Sequence, residues 1–383
     1  MQAFDSARLS LGAFKERARF ALDEEEFSRR RRNDRKDITS AIKTVLWFNN
    51  LRARSRLSGP YELERRFEPD AFRRNRHGEP FRVNKWHGYS KGWHEPKLVL
   101  AAVEDAYPGA NDCLRSPVWP ALVAGPLEKS QIEELLRKLR TPIQELIRSY
   151  GLWPVRAGSS TKLIDGNLAS SLERRASLDA LAAELLLLRR CHAEGSCEAA
   201  YQWGHRLWRM MMLLSPHFLR GGIARSLAEL VEERVVPMAD LAGVCFGFPP
   251  DTYVKVAEEF LWARDRTRRS LLASRSTVRQ QRAIDYDLLE GQHGWDYHFA
   301  FNPVPLIAND VYLLGFSGAA LREARHAEVN RHCHAWGLNM LCIGRHAAWP
   351  PDAVWTGEDL WARSPDPMTL WGLKSRTHWR AVG

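Results

Sequence analysis

The sequence has few cysteines and no long apolar run. Six cysteines are dispersed through 383 residues, a pattern that does not suit a disulfide scaffold and favours reduced thiols in a cytoplasm. The longest apolar stretches, such as residues 185–188 and 210–214, are far shorter than the roughly 20 residues that cross a bilayer. The first residues, MQAFD, do not begin a secretory signal. We therefore expect a cytoplasmic protein without a membrane partner.

Complete catalytic motifs are also missing from the sequence. It contains no Gly-x4-Gly-Lys-Ser/Thr phosphate loop, no Gly-x-Gly-x2-Gly after a strand and no Gly-x-Ser-x-Gly nucleophile elbow. These absences exclude the common designs of nucleotide-driven enzymes and serine hydrolases. They favour a protein that binds its partner without transforming it, and we expect no cofactor.

Helical periodicity dominates what is present. A Ser130–Glu133 capping box predicts the start of one helix, and Pro142 separates it from a second helix. Further helices are predicted at about residues 178–195, 199–214, 223–235 and 252–272. Two of the supporting apolar stripes are Ile132, Leu135, Leu136, Leu139 and Leu178, Leu181, Leu185, Leu188.

Strand signals are sparse and late. Residues 297–301 alternate weakly between polar and apolar side chains, and residues 311–316 form a short apolar run. The sequence therefore predicts a mainly α protein with at most a small β element near residues 296–316.

Proline and glycine cluster at residues 153–158, which predicts a boundary between two regions. The first is a basic N-terminal helical region, residues 1–153, and the second is a helical C-terminal region, residues 154–383. The net charge of +10 is local, because residues 1–100 hold 23 Lys and Arg against 14 Asp and Glu. A local basic surplus indicates a polyanionic partner for that part of the chain.

Cations and aromatic rings are interleaved in this basic region. Arginine and lysine bind phosphates without a sequence code, and exposed rings stack on unpaired bases. Gly78, Gly88 and Gly92 would let a loop with three rings approach a nucleic acid closely. The residues expected to contact nucleic acid are Arg29, Arg30, Arg31, Arg32, Arg35, Lys36, Asn50, Arg52, Arg54, Arg56, Arg73, Arg74, Arg76, Arg82, Lys85, Trp86, Tyr89, Lys91 and Trp93.

Residues 47–54 (WFNNLRAR) carry a local resemblance. Their Trp-Phe-x-Asn pattern resembles the recognition helix of a homeodomain, in which this Asn reads adenine. The resemblance implies that Asn50 reads a base and that Arg52 and Arg54 contact phosphates. An Arg of the family pattern is replaced by Leu51, and the preceding residues lack the spacing of the two supporting helices. The segment thus predicts a basic helix face.

A second basic segment follows later in the chain. Arg268, Arg275 and Arg282 are spaced by seven residues, so a continuous helix would place them on one face. This face is either a second contact to a nucleic-acid backbone or an ordinary charged helix surface.

Residues 285–346 hold most of the groups that could carry chemistry. Two histidines and one aspartate could surround a divalent metal such as Mg²⁺, as a nuclease requires, and a mixed His/Cys set could bind zinc. No paired Cys-x2-Cys spacing accompanies the second set. The two sets are His293, Asp296, His298 and His332, Cys333, Cys342, His346.

The end of the chain is rich in tryptophan, with Trp349, Trp355, Trp361, Trp371 and Trp379. So much indole surface is costly in water, so it packs on the body of the protein or on a protein partner. The leading hypothesis is a non-catalytic helical subunit that grips a DNA or RNA backbone within a larger prokaryotic nucleoprotein assembly. The alternatives are a metal-dependent nuclease or hydrolase and a protein-interaction scaffold.

Overall fold

The computed structural model describes residues 38–74, 80–82, 84–153, 164–247, 249–273, 278–303, 305–307 and 318–342. This part of the chain is mainly α-helical, as the sequence predicts. None of its helices combines the length with the apolar character that a bilayer crossing requires. The Trp-rich tail lies outside the described residues.

The first part of the described chain consists of helices and one β-hairpin. In the hairpin, strands β1 (Phe72–Arg74) and β2 (Pro80–Arg82) pair antiparallel, with Phe72 opposite Arg82. Strands of three residues are too short to display a period-two pattern, so the sequence carries no signal for them. The helices are α1 (Ile38–Ser55), α2 (Pro60–Phe67), α3 (Lys85–Ser90), α4 (Leu100–Ala106), α5 (Asp112–Arg115), α6 (Val118–Ala121), α7 (Lys129–Arg137) and α8 (Thr141–Ser149).

Longer helices dominate the second part. The predicted helices near 178–195, 199–214, 223–235 and 252–272 correspond to α10, α11, α12 and α13. Gly195, which follows α10, has φ +73°, a left-handed conformation that favours glycine after a helix end. The elements are α9 (Gly166–Glu173), α10 (Leu178–Ala193), α11 (Cys197–Arg220), α12 (Ala224–Arg234), β3 (Val244–Phe246), α13 (Pro250–Ala273), α14 (Val278–Leu289), α15 (Trp295–Phe301), β4 (Pro305–Ile307) and α16 (Gly318–Cys342).

The capping box of helix α7 lies two residues before the predicted one. It is formed by Glu128 and Gln131, because the Glu128 carboxylate accepts the N3 amide and the Gln131 side chain accepts the Glu128 amide at 2.9 Å. This pair has the same i, i+3 spacing as Ser130 and Glu133, and it starts the helix at Lys129. Pro142 separates α7 from α8, as predicted.

Helix α10 lies at the centre of the N-terminal unit. It packs against α6, α7, α9 and α11, so the leucines beside the predicted stripe, Leu186 and Leu187, are as buried as Leu185 and Leu188. A helix that is buried all round needs no polar face. The sequence stripe therefore marks only part of the buried surface of α10.

The chain divides into two compact units, and the division lies far from residue 153. The N-terminal unit contains the described residues up to Leu241 together with Cys245–Tyr286, and the C-terminal unit contains Ala242–Val244 and the described residues from Asp287 onward. Contacts of α6 and α7 with α10 join the residues on both sides of the predicted boundary.

Residues 297–301, predicted as a strand, belong to helix α15. Every residue of α15 is buried, so the weak alternation reflects a fully enclosed helix and not a strand with one polar face. Gly337 of α16 allows close packing here, since a Cβ would lie 2.6 Å from the carbonyl oxygen of Asp296 and 2.8 Å from the nitrogen of Ala300.

A small β element does occur within the predicted region 296–316. Strand β4 pairs with β3 in a two-stranded sheet, and the C-terminal unit contains both β4 and Val244, the first residue of β3. The apolar run at residues 311–316 lies outside the described residues.

Candidate nucleic-acid interface

Trp86 joins the three helices at the start of the described chain. Its indole is fully buried and lies between the rings of Trp47 in α1 and Phe67 in α2, with centroid distances of 5.8 and 5.5 Å and interplanar angles of 30° and 16°. Its Nε1–H donates to Oε2 of Glu68 at 2.8 Å. Stacked rings and a satisfied indole N–H are the usual form of an aromatic core contact.

Tyr89 and Trp93, the other rings expected to stack on bases, also pack within the fold. Tyr89 is buried, and burial together with the charges of Glu68 and Glu64 raises the pKa of its phenol to about 12. Trp93 is half-buried, with its ring centroid 5.4 Å from that of His87. Because a buried ring presents no face to a base, Tyr89, like Trp86, belongs to the core instead of a stacking surface.

The glycines of this segment serve internal packing. Gly92 has φ +72°, and a Cβ there would lie 2.8 Å from the carbonyl oxygen of Ala41. A Cβ at Gly88 would lie 2.5 Å from the imidazole of His94. Glycine permits such close approach because it has no side chain. The segment that contains Gly88 and Gly92 is therefore helix α3 and its tightly packed end, and not a loop that approaches a ligand. Gly78 lies outside the described residues.

Helix α1 contains the segment that resembles a homeodomain recognition helix. Asn50 is half-buried, and its amide lies near the thiol of Cys113 in α5. Burial raises the pKa of that thiol to about 11, and the Asn50 amide acts against the rise. The amide expected to read a base is thus engaged within the fold, whereas Arg52 and Arg54 are exposed.

Exposed arginines gather at the ends of α1 and α2. The guanidinium of Arg54 lies 6.0 Å from the ring centroid of Tyr107, and the ring of Phe67 lies 6.2 Å from the same centroid. Tyr107 therefore brings the two helix ends together. No carboxylate of the described residues lies within ion-pair distance of the five exposed guanidiniums, and the charge of Arg54 acts on Glu104 of α4 from farther away. We call these five residues the arginine surface: Arg52, Arg54, Arg56, Arg65 and Arg66.

The carboxylates nearest in sequence to the arginine surface are used elsewhere. Glu64 is fully buried and accepts the backbone N–H of Lys85 at 3.0 Å. Glu68 accepts an indole N–H and pairs with Nζ of Lys85 at 3.1 Å. Lys85, expected to bind phosphate, is therefore neutralised within the fold. Between residues 52 and 70 the exposed carboxylates are Glu62 and Asp70, so exposed positive charge is in excess.

The other cations predicted for the basic region have mixed positions. Lys91 is exposed. Arg73, Arg74 and Arg82 lie on the strands of the hairpin, where only the backbone is described. The following residues lie outside the described part of the chain: Arg29, Arg30, Arg31, Arg32, Arg35, Lys36 and Arg76.

The second basic segment is divided between two helices. Arg268 lies on α13, where its Nη2 is 3.5 Å from Oδ2 of Asp285. Arg282 lies on α14, and its side chain is outside the described residues, as is all of Arg275. The single face expected for these arginines requires one continuous helix, whereas α13 and α14 are separate elements.

The groups proposed for catalysis lie in the C-terminal unit. Asp296 and His298 are buried in α15, and Nδ1 of His298 lies 2.7 Å from the carbonyl oxygen of Leu289. His293, which precedes the helix, is half-buried. Because His298 is buried and hydrogen-bonded to a backbone carbonyl, it contributes to the packing of this unit.

The proposed zinc ligands occupy contrasting environments. His332 is exposed, whereas the adjacent Cys333 is buried, and burial raises the pKa of its thiol to about 12. Because neighbouring helix residues point in different directions, these two side chains do not converge. The side chain of Cys342 and all of His346 lie outside the described residues. Within the described ranges, no group of three or more His, Cys, Asp and Glu is placed to hold a metal ion.

Sequence reasoning missed three exposed residues. Arg65 and Arg66 follow Glu62 and Glu64 in the sequence, a pattern typical of paired charges, yet Glu64 is fully buried. Trp262 of α13 is 41 % exposed, with the guanidinium of Arg266 lying 5.3 Å from its ring centroid. The detectable signal is that Trp262 falls outside the apolar stripe of α13.

The arginine surface is thus the strongest concentration of exposed, unpaired charge that the described residues offer near the predicted site. Its cations come from two helices that an aromatic core holds in place. No known family model, curated protein or solved structure matches this chain.

Proposed function

We propose that this protein binds the phosphate backbone of a nucleic acid through the arginine surface. The observation that carries the proposal is that five exposed guanidiniums have no ion-pair partner among the described residues. Like charges held together destabilise the folded state unless a partner of opposite charge uses them. A guanidinium presents a planar fork of N–H donors that matches the oxygens of phosphate.

The arginine surface favours backbone contacts over base recognition. Trp86 and Tyr89 are buried, and Asn50 is half-buried beside Cys113. Phosphate contacts position a protein on nucleic acid and carry no sequence information directly. We therefore expect binding with little sequence preference.

The protein-interaction scaffold, the alternative without nucleic acid, requires the arginines to be paired with carboxylates. The ring burial at Trp86 and Tyr89 agrees with that alternative. The unpaired state of Arg52, Arg65 and Arg66 favours the nucleic-acid proposal instead.

The test compares two double variants, R65Q/R66Q and R137Q/K138Q. Both remove two exposed cations from the end of a short helix, but Arg137 and Lys138 are already paired with Glu133 and Glu134 at 3.4 and 2.6 Å. Fluorescence anisotropy with labelled duplex DNA, single-stranded DNA and RNA measures the affinity. At about 0.1 M salt we expect R65Q/R66Q to weaken binding at least about ten-fold and R137Q/K138Q to change it little.

Circular dichroism of both variants controls for folding. Equal weakening by the two double variants would mean that only net charge matters, and the arginine surface would lose its role. Wild-type protein that binds none of the three nucleic acids would overturn the proposed function itself.

A further inference from the structure

A loosely packed charge cluster lies between α13 and α14 in the N-terminal unit. Nε of Arg264 is 3.6 Å from Oδ1 of Asp285, and Nη2 of Arg268 is 3.5 Å from Oδ2 of the same carboxylate. The side chains of Arg264, Arg268 and Asp285 are 13 %, 33 % and 21 % exposed. The cluster is therefore largely shielded from water, and its most exposed side chain is Arg268.

The cluster contains buried polar atoms that lack hydrogen bonds. Nε of Arg264, Nε of Arg268 and Oδ1 of Asp285 are each buried without a hydrogen-bond partner among the described residues. Leaving a buried charged donor unsatisfied is unfavourable, and such groups in a native protein indicate a missing partner. Nε of Arg264 and Oδ1 of Asp285 face each other at 3.6 Å, beyond hydrogen-bond distance, so a bound anion that both Nε–H groups reach would satisfy the two donors.

A fully paired guanidinium in the same unit provides the comparison. Arg209 donates from Nε and Nη2 to the two carboxylate oxygens of Glu173 at 2.9 and 3.0 Å. Those distances are normal for a charge-assisted bidentate pair. Arg264 and Arg268 lie 3.6 and 3.5 Å from the carboxylate of Asp285, which makes both contacts longer than those of Arg209. The cluster is therefore not a structural ion pair of the same kind.

Positive charge exceeds negative charge around the cluster. Arg220, at the end of α11, is exposed, and its charge acts on Arg264. Burial lowers the pKa of Arg264 and raises the pKa of Asp285, and the charges of Arg268 and Arg220 lower that of Arg264 further. The second carboxylate, Asp265, is 56 % exposed and lies 3.6 Å from Nε of Arg264. An added anion would face two shielded guanidiniums and one exposed one.

We propose that Arg264 and Arg268 form a binding site for one phosphate group. Arg220, whose Nε donates to the carbonyl oxygen of Pro216 at 3.0 Å, adds positive charge nearby. Guanidinium groups recognise phosphate oxygens through paired N–H donors, and the unused Nε–H groups of Arg264 and Arg268 supply such donors. The site is separate from the arginine surface, and it does not depend on the function proposed for that surface.

The phosphate has two possible sources, a free phosphate-bearing metabolite and a nucleic-acid backbone. The end of α11 contacts α1, because Nδ2 of Asn49 donates to the carbonyl oxygen of Gly221 at 2.9 Å. Arg220 therefore lies close in sequence to a residue that contacts α1, the helix that carries Arg52 and Arg54. An oligonucleotide arm in the experiment distinguishes the two sources.

The experiment uses the full chain and isothermal titration calorimetry with inorganic phosphate, and anisotropy with a labelled oligonucleotide. The variants are R264Q/R268Q and D285N, and the control is R137Q, which removes an arginine whose partner is Glu133. We expect R264Q/R268Q to weaken phosphate binding at least about ten-fold. We expect D285N to strengthen it, because the carboxylate that competes with the anion is gone. R137Q leaves binding unchanged.

D285N keeps the proposal testable if R264Q/R268Q does not fold. If the variants change phosphate binding and leave oligonucleotide binding unchanged, the ligand is a free phosphate-bearing molecule. If they also change oligonucleotide binding, the ligand is a backbone phosphate. If neither ligand responds to R264Q/R268Q or D285N, or if D285N only lowers thermal stability, the cluster is a structural ion pair and the proposal is wrong. If only R65Q/R66Q weakens oligonucleotide binding, the result bears on the arginine surface and not on this cluster.

Discussion

At the level of single residues, Glu184 of α10 is a carboxyl group whose surroundings disfavour a negative charge. Its side chain is fully buried, and neither carboxyl oxygen has a hydrogen-bond partner among the described residues. Burial, followed by the charge of Glu173, raises its pKa well above the ordinary value, and the charges of Arg206 and Arg209 act against the rise. The neutral carboxyl is therefore the form that suits this position.

The first prediction concerns this residue. As the pH rises past the ordinary pKa of 4.5, the unfolded chain releases the Glu184 proton while the folded protein retains it. The wild type therefore loses stability, by about 1.4 kcal/mol per pH unit until the folded carboxyl ionises as well. We expect E184Q to remove this loss, so its advantage in thermal denaturation is larger at about pH 8 than at about pH 5.

The variant E145Q is the matched control, since Glu145 is exposed. Identical pH profiles for the wild type and E184Q would contradict the prediction, because they would mean that Glu184 is ionised and compensated in the folded protein.

Among the elements, α1, α2 and α3 depend on one another through Trp86. The stacked rings of Trp47, Trp86 and Phe67 come from three helices, and the two short helices are too small to be stable alone. The arginine surface is carried by α1 and α2, so its geometry depends on this aromatic core. A change that disrupts the buried rings is therefore expected to displace the exposed arginines as well.

We therefore predict that W86A destabilises the protein by about 3–5 kcal/mol, the usual cost of removing a buried tryptophan. Urea denaturation followed by far-UV circular dichroism measures the free energy of unfolding. W262A removes an exposed indole and is expected to cost less than about 1 kcal/mol. Equal costs for the two variants would contradict the burial of Trp86.

At the scale of the whole molecule, the charge distribution matters more than its total. The net charge is +10, and residues 1–100 hold 23 basic against 14 acidic side chains. Within that region Glu64 and Glu68 are occupied by hydrogen bonds, so the exposed balance is more positive than the count suggests. Long-range attraction to a polyanion follows from such a surface.

The salt dependence of binding measures this electrostatic contribution. If all five guanidiniums of the arginine surface contact phosphates of duplex DNA, log K falls against log salt with a slope of roughly 4.5, at about 0.9 per phosphate. R65Q/R66Q is expected to reduce the slope by about 1.8. A flat response, measured by anisotropy over a series of salt concentrations, would contradict phosphate-backbone binding.

The mainly α character of the protein is predictable from local sequence patterns. Spacings of three and four between apolar residues and the break at Pro142 predicted helices that the structure contains, including α7, α8, α10 and α13. Helix hydrogen bonds join residues four apart, so the local pattern is sufficient evidence for them. The location of the basic surplus is likewise a property of the sequence.

Which of these residues face water depends on how the helices pack against one another. Trp86 and Tyr89 look like stacking rings in the sequence, but Trp47 and Phe67 enclose Trp86. The weak alternation at residues 297–301 became a helix enclosed on all sides. Arg264 and Asp285 lie 3.6 Å apart although 21 positions separate them. Burial and pairing of this kind arise from contacts between residues distant in sequence, which a local pattern does not record.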